Sequence, residues 1–197
     1  VKNKYFASTK RQKKYREKRI VEGSNLSPYD QLVKTHAREY QFDWRLITSQ
    51  MYQESRFDPK ARSAAGAQGL MQVLPRTGKE LGFTDLLNPV EAIAAGVQYM
   101  NWSRDRFSKD LPVQEQVYFS LAAYNAGYGH VKDAQRLAKS MGWRSDKWFN
   151  HVEKAMLLLQ RPKYYKKARF GYCRGSEPVS YVRNINQRYL SYIDITQ

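Results

Sequence analysis

The sequence predicts a mainly α-helical single domain. Apolar residues recur every three or four positions over most of the chain, and no segment alternates strictly enough to form a regular strand. A length of 197 residues suits one domain with an additional arm, and it is sufficient to bury a core without disulfides or metal. With 42% hydrophobic and 26% charged residues, the composition is that of a globular chain rather than a disordered one.

The first helix is predicted from its start signal. Ser27 suits the N-cap and Pro28 the first helical position. Asp30 suits the third helical position, where a side chain can accept a hydrogen bond from the backbone N–H of the N-cap residue. These three residues therefore predict a helix that begins at Pro28.

The second helix begins at Asp43. Along it Ile47 and Met51 continue one apolar stripe, and Glu54 falls on the same stripe. The residues at 57–59, Phe-Asp-Pro, are expected to end this helix, because the residue before a proline disfavours helical geometry.

Small residues, glycine and proline divide the remainder of the chain. A loop is predicted over 61–69 and an apolar turn over 70–74. The helices predicted after this turn are 75–82, 88–107, 113–126, 129–141, 145–159 and a last one capped by Ser176 that runs towards the C-terminus. The segment 164–172 is the candidate for a short strand.

Charge is distributed unevenly. The net charge is +16, and residues 1–20 hold nine bases and one acid. A basic arm of this kind fits nucleic acid, anionic lipid or an acidic cell-wall polymer, and a solvated linker equally well. Since the chain begins with Val1 rather than Met, we expect it to be a piece of a longer precursor.

Several chemistries are not expected. Cys173 is the sole cysteine and is expected to be a packing residue, which excludes an internal disulfide and a cysteine-based zinc site. The three histidines fall on separate predicted helices, so neither a metal site nor a cofactor is expected. No apolar run approaches the length of a membrane-spanning helix.

Glu54 is the carboxylate that differs from the rest. A carboxyl group on a buried stripe has its charged form disfavoured, so its pKa rises and it can hold a proton near neutrality. A general acid for glycosidic-bond cleavage needs this property. The alternative is a structural Glu that caps backbone or pairs with an arginine.

Three motifs carry a resemblance to a known family. Glu-Ser at 54–55, Gly-Leu-Met-Gln at 69–72 and Ala-Tyr-Asn-Ala-Gly at 123–127 occur in an order and spacing that resemble the lytic murein transglycosylases. The segments 163–165 and 170–182 look like the membrane-bound lytic transglycosylase F subfamily. In that subfamily the catalytic domain follows a larger one similar to solute-binding proteins. The resemblance therefore implies a catalytic domain at 27–197 and a basic linker or tail of a missing domain at 1–26.

The resemblance implies a fold, an activity and a location. The fold would be a lysozyme-like, goose-type helical domain with a cleft. Peptidoglycan glycan strands would be cleaved between N-acetylmuramic acid and N-acetylglucosamine to leave a 1,6-anhydro end, with Glu54 as acid and then base and no cofactor. The location would be the periplasm, with the full-length protein peripheral on the outer membrane. No nucleic-acid partner is implied.

Five substrate-binding residues are also implied by the resemblance: Ser63, Gln72, Tyr124, Asn125 and Tyr181. Ser63 would hydrogen-bond near the acid or the N-acetyl group of the substrate, or it would only be a helix cap or a loop hydroxyl. Gln72 would contact sugar groups through its amide. Tyr124 would bond Glu54 or the substrate, whereas Asn125 contacts substrate or only holds its turn. Tyr181 approaches the acid or is a core tyrosine.

Two rival functions remain open from the sequence. A lysozyme-like hydrolase of peptidoglycan or chitin would share the acid but needs an activated water and normally a second carboxylate. Asp58, the nearest candidate, is expected to point outward. The more distant rival is a basic module that binds nucleic acid or an anionic surface.

Overall fold

The structure is a computed structural model that describes residues 25–196. Over this range it is mainly α-helical, as predicted, and extended pairing is limited to isolated bridges, Arg62 with Gln68 and Gln68 with Val73. The helices are α1 (Asp30–Glu39), α2 (Trp44–Ser55), α3 (Pro75–Glu80), α4 (Pro89–Arg104), α5 (Val113–Ala126), α6 (Tyr128–Ser140), α7 (Glu153–Leu158), α8 (Pro162–Tyr165) and α9 (Ser176–Ile195). Between α6 and α7 lies a π-type turn, Trp148–Val152.

The start of α1 uses the predicted residues but lies two positions later than predicted. The Asp30 carboxylate accepts hydrogen bonds from the backbone N–H of Leu26 at 2.7 Å and of Ser27 at 2.9 Å. The Ser27 hydroxyl in turn accepts from the N–H of Tyr29 at 3.1 Å. These bonds fold Leu26–Tyr29 into a turn that precedes the helix, so Pro28 lies in the turn rather than at the first helical position.

Two predictions in the second half of the chain are wrong. The predicted helix 145–159 is helical only in α7, because Phe149 (ψ 134°) and Asn150 (φ 67°) leave the helical region. The candidate strand 164–172 is instead α8 followed by a loop. The backbone N–H groups of Arg169 and Phe170 in this loop are held by the Asp133 carboxylate and are not paired with a strand.

The ends of two helices also differ from the prediction. Helix α4 ends at Arg104, three residues before the predicted end. Helix α9 has no side-chain cap at its N-terminus. The Ser176 hydroxyl, which was expected to cap α9, bonds Gln160 Oε1 at 3.3 Å instead.

The core lies between α2, α5 and α9. Helix α9 packs against both α2 and α5, and α5 also packs against α4 and α6. Fully buried residues from each helix meet there, among them Ile47, Phe119 and Ile185. Burying one such side chain contributes about 1.5–3 kcal/mol to stability. Because α9 lies against α2, the last turn of α2 faces α9.

One glycine permits a close approach beside this core. A Cβ at Gly96 on α4 would lie 2.4 Å from the Cβ of Met71, which is closer than packed carbons come. The glycine therefore lets the turn at 69–72 sit directly on α4. Cys173 is buried and unpaired, as expected of a packing residue. Within residues 25–196 no helix is both long and apolar enough to span a bilayer.

Candidate active site

Helix α2 carries Glu54 to the centre of the candidate site. The helix begins at Asp43, whose side chain accepts from the backbone N–H of Arg45, as the predicted start requires. Ile47 and Met51 on the same stripe are fully buried, and Glu54 is partly buried. The helix ends at Ser55, earlier than predicted, because Arg56 and Phe57 adopt left-handed φ values of 54° and 71°.

The Glu54 carboxyl is paired with a tyrosine rather than with a base. The Tyr181 hydroxyl on α9 donates a hydrogen bond to Glu54 Oε1. Burial raises the pKa of Glu54 to about 7, although the Tyr181 hydrogen bond opposes this rise. The predicted elevation of the Glu54 pKa is confirmed. Tyr181 approaches the acid and is also buried in the core, so the structure combines the two sequence interpretations of this residue.

Tyr124 lies beside this pair but does not bond Glu54, contrary to one of the two expected roles. Its hydroxyl donates to the backbone carbonyl of Met71 at 2.7 Å. Burial and the nearby charge of Glu54 hold the pKa of Tyr124 well above its usual value. Tyr124 therefore connects the end of α5 to the turn at 69–72.

The turn at 69–72 is fixed to the end of α2. Ser55 Oγ donates to the Leu70 carbonyl at 2.9 Å. Gln72 Nε2 donates to the carbonyls of Ala61 at 3.1 Å and Gly69 at 2.9 Å. Both amide protons of Gln72 are thus used to hold the loop, so only its Oε1 can meet a substrate.

Two predicted site residues are organised by other contacts. Ser63 is exposed, and its hydroxyl accepts from the backbone N–H of Ala67 at 3.0 Å. This is the loop-hydroxyl alternative. Asn125 is exposed in the last turn of α5, and no hydrogen bond joins its side chain to another described residue. The structure thus brings together Glu54, Tyr181 and Tyr124, but it does not bond Ser63 or Asn125 to them.

No second carboxylate accompanies Glu54 among the described residues. Asp58 is exposed, as expected, and its carboxylate accepts from the backbone N–H of Lys60 at 2.9 Å. Burial and Tyr181 are the influences that shift the pKa of Glu54. Over residues 25–196, no group of three His, Cys, Asp or Glu side chains is placed to hold a metal ion.

The arrangement matches a known family. Residues 31–146 match the family described as the transglycosylase SLT domain. The chain belongs to this family. It is 42% identical over 170 residues to membrane-bound lytic murein transglycosylase F of Aeromonas salmonicida, covering 86% of this chain and 34% of that protein. The protein of the same name from Shewanella baltica is 43% identical over 164 residues, covering 83% and 34%.

A solved structure supports the fold of this SLT domain. The 70 kDa soluble lytic transglycosylase of Escherichia coli superposes with a TM-score of 0.59 and 26% identity, over 88% of this chain and 25% of that one. The lysozyme-like, lytic transglycosylase fold expected from the motifs is therefore confirmed. The chain spans about a third of the length of the curated relatives it matches.

Sequence reasoning missed two residues of the SLT domain's site. Gln50 is fully buried one turn before Glu54, and its Nε2 donates to the Tyr181 hydroxyl at 3.2 Å. Its spacing of four from Glu54 was a usable signal. Tyr99 on α4 packs its ring 4.9 Å from that of Tyr124. That contact depends on how α4 packs on α5, which no local pattern indicates.

Proposed function

We propose that this SLT domain cleaves peptidoglycan between N-acetylmuramic acid and N-acetylglucosamine, with Glu54 as the sole catalytic carboxylate. The observation that carries the proposal is the state of Glu54: a partly buried carboxyl with a pKa of about 7, bonded to Tyr181 and without a carboxylate partner among residues 25–196. A general acid is most effective when its pKa lies near the working pH. The names of the similar proteins point to the same activity.

In the first step, protonated Glu54 gives its proton to the glycosidic oxygen. The bond between that oxygen and C1 of the muramic acid breaks, and N-acetylglucosamine leaves as an alcohol. The N-acetyl group of the substrate stabilises the cationic C1, as in substrate-assisted glycosidases. Glu54 is now ionised, and the hydrogen bond from Tyr181 stabilises this form.

In the second step, ionised Glu54 removes the proton of the muramic C6 hydroxyl, and the C6 oxygen bonds to C1. The product is a 1,6-anhydromuramic end, and Glu54 returns to its protonated form. No water is consumed. A hydroxyl already on the reacting ring has a much higher effective concentration than an external nucleophile, which favours this route in a site with one carboxylate.

Substrate binding is assigned to groups around Glu54 that keep free hydrogen-bonding capacity. Gln72 Oε1 can accept from sugar hydroxyls, and the Asn125 amide can both accept from and donate to sugar groups. The Tyr124 hydroxyl donates to Met71, so it meets the substrate as an acceptor. Ser63 is assigned to the loop that borders the site. Tyr181 acts on Glu54 rather than on the sugar.

We extend the proposal to domain organisation and location. The predicted catalytic domain, 27–197, is extended by one residue to include the buried Leu26, and residues 1–25 connect it to a preceding domain; residues 1–24 of this connector lie outside the described range. The relatives are named membrane-bound, which supports an association with a membrane. Because the proposed substrate is peptidoglycan, we place the enzyme in the periplasm, peripheral on the outer membrane. Its partner there is peptidoglycan.

Mass spectrometry of the products released from purified peptidoglycan tests the activity. We expect fragments that end in 1,6-anhydromuramic acid and carry no added water. Fragments with reducing muramic ends, each heavier by one water, would contradict the proposal and would indicate a lysozyme-like hydrolase. Incubation in ¹⁸O-labelled water provides the control, because only hydrolysis incorporates the label.

A further inference from the structure

A row of aromatic rings leads from the candidate site to the protein surface. The ring of Tyr99 lies 4.9 Å from that of Tyr124, and Trp102 stacks on Tyr99 with 5.5 Å between ring centroids. Trp102 is 43% exposed. The surface at Trp102 is thus continuous, through packed rings, with the tyrosine that borders Glu54.

Arg106 extends this row with a positive charge. Its guanidinium lies 3.8 Å from the ring centroid of Trp102 and 5.3 Å from that of Tyr128. The side chain is exposed, and it forms no ion pair with an acid in the described part of the chain. A guanidinium stacked on a ring keeps its N–H edge available for a carboxylate and is already oriented.

The loop after α8 continues the surface beyond Tyr128. The ring of Phe170 occupies the space beside Gly129, where a Cβ would lie 2.5 Å from it. The buried Asp133 carboxylate accepts from the backbone N–H of Phe170 at 2.7 Å and of Arg169 at 3.0 Å. Phe170 is 51% exposed, and the Arg169 guanidinium lies 5.8 Å from its ring centroid. The loop therefore presents a base and a ring from a fixed backbone.

The charged side chains of this loop and its flanking residues are all basic. Residues 154–176 contain no Asp or Glu. Lys166 and Lys167 are exposed there, and neither forms an ion pair with a described acid. We define the basic–aromatic belt as Trp102, Arg106, Lys166, Lys167, Arg169 and Phe170.

We propose that the basic–aromatic belt binds the acidic peptides that branch from the glycan strand held at the Glu54 site. The proposal rests on the proposed function. Sugar hydroxyls do not require positive charge, whereas peptide carboxylates are bound well by oriented arginines. The belt adjoins the site through Tyr99 and Trp102, so it can meet a branch of the same strand. This continuity favours the substrate over an anionic lipid surface.

The test compares two charge-matched double variants of the full chain. Arg106→Gln with Arg169→Gln removes two arginines of the belt. Lys79→Gln with Lys139→Gln removes two exposed lysines of α3 and α6 that take no part in it. Three preparations of one glycan serve as substrates: with acidic stem peptides, with the stem carboxylates amidated, and with the stems removed by an amidase.

We expect the ratio of kcat/KM on acidic-stem strands to kcat/KM on stem-free strands to fall about tenfold in the belt variant. A tenfold change corresponds to about 1.4 kcal/mol. The fall should come mainly from KM, should be reproduced in the wild type by amidated stems, and should shrink at high salt. The control variant should keep the wild-type ratio.

Three outcomes would overturn the proposal. One is an unchanged ratio in the belt variant. Another is an equal loss on stem-free strands, which would mean that the belt contacts the glycan itself. The third is an unchanged ratio together with lost binding to phosphatidylglycerol vesicles, which would assign the belt to lipid. If the arginine variant does not fold, as judged by circular dichroism, Lys166→Gln with Lys167→Gln replaces it. Failure of the proposed function has a separate signature, since the wild type would then cleave none of the three substrates.

Discussion

The hydroxyl of Tyr181 connects Glu54 to Gln50, one turn earlier on the same helix. Tyr181 donates to Glu54 Oε1 across 127 positions of sequence and accepts from Gln50 Nε2 at 3.2 Å. Because the amide donates to the hydroxyl oxygen, the hydroxyl proton is directed to the carboxyl. This bond favours ionised Glu54 and burial favours the protonated form, so the group titrates near pH 7.

Replacing Glu54 by glutamine should remove the activity and leave the fold intact. Glutamine has the same shape and can still accept from Tyr181, but it has no proton to transfer. We expect the rate to fall by roughly 10² to 10⁴, and further if Glu54 also acts as base. Release of soluble fragments from peptidoglycan measures the rate. A variant that keeps more than about a tenth of the activity would remove Glu54 from this role.

Asp58→Asn is the matched carboxylate control. Asp58 is exposed and bonds the backbone of Lys60, so its loss should affect neither the acid nor the product. Most of the activity should remain, and mass spectrometry should still detect anhydro ends. If this variant folds but is as inactive as Glu54→Gln, the enzyme uses a carboxylate pair, and hydrolysis becomes the better interpretation.

The pH dependence of activity should follow the protonated form of Glu54. With a pKa of about 7, kcat/KM should decline as the pH rises through 7, because the acid loses its proton. Tyr181→Phe removes the bond that favours the ionised form, so the decline should move to higher pH.

Tyr189→Phe is the control for this shift, because it removes a hydroxyl of the same helix that bonds Asp43 rather than Glu54. Its pH profile should match that of the wild type. A decline that stays at the same pH in Tyr181→Phe would show that Tyr181 does not act on the acid.

Stability should also depend on the protonation of Glu54. The pKa of Glu54 rises on folding from 4.5 to about 7, so the folded state binds the proton more tightly and is favoured at low pH. This contribution is complete below pH 4.5 and is lost as the pH rises towards and through 7. Such a shift corresponds to about 3 kcal/mol.

Thermal unfolding of Glu54→Gln measures this contribution. The variant should match the wild type at pH 4, where both side chains are neutral, and should melt at a higher temperature at pH 8. If the variant and the wild type melt at the same temperature at pH 8 as well as at pH 4, the raised pKa of Glu54 is contradicted.

Two N-terminal deletions should locate the domain boundary to one residue. Leu26 is fully buried, although the predicted boundary places it in the linker. Deleting residues 1–25 should leave the melting temperature nearly unchanged, whereas deleting 1–26 should cost about 1.5–3 kcal/mol through the lost burial of Leu26. Differential scanning calorimetry compares the two. Equal destabilisation by both deletions would place structural residues before Leu26.

The sequence by itself determined the helical class, the start of α2 and the face on which Glu54 lies. These are local properties: apolar spacing and capping residues act within a few positions, so they can be derived without knowing the neighbouring helices. The family resemblance added the candidate site residues, but it left open whether Tyr181 is a core residue and what Tyr124 bonds.

Only the tertiary structure decided those questions. Helix α9 must pack on α2 in one particular register for Tyr181 to reach Glu54, and α5 must meet the turn at 69–72 for Tyr124 to reach Met71. The segment 164–172 suits a strand in sequence because of its aromatic residues, yet it begins within α8, and the carboxylate of Asp133 on α6 binds the backbone of the loop that follows. Partners separated by tens of residues are selected by how the helices pack, and no local pattern records that choice.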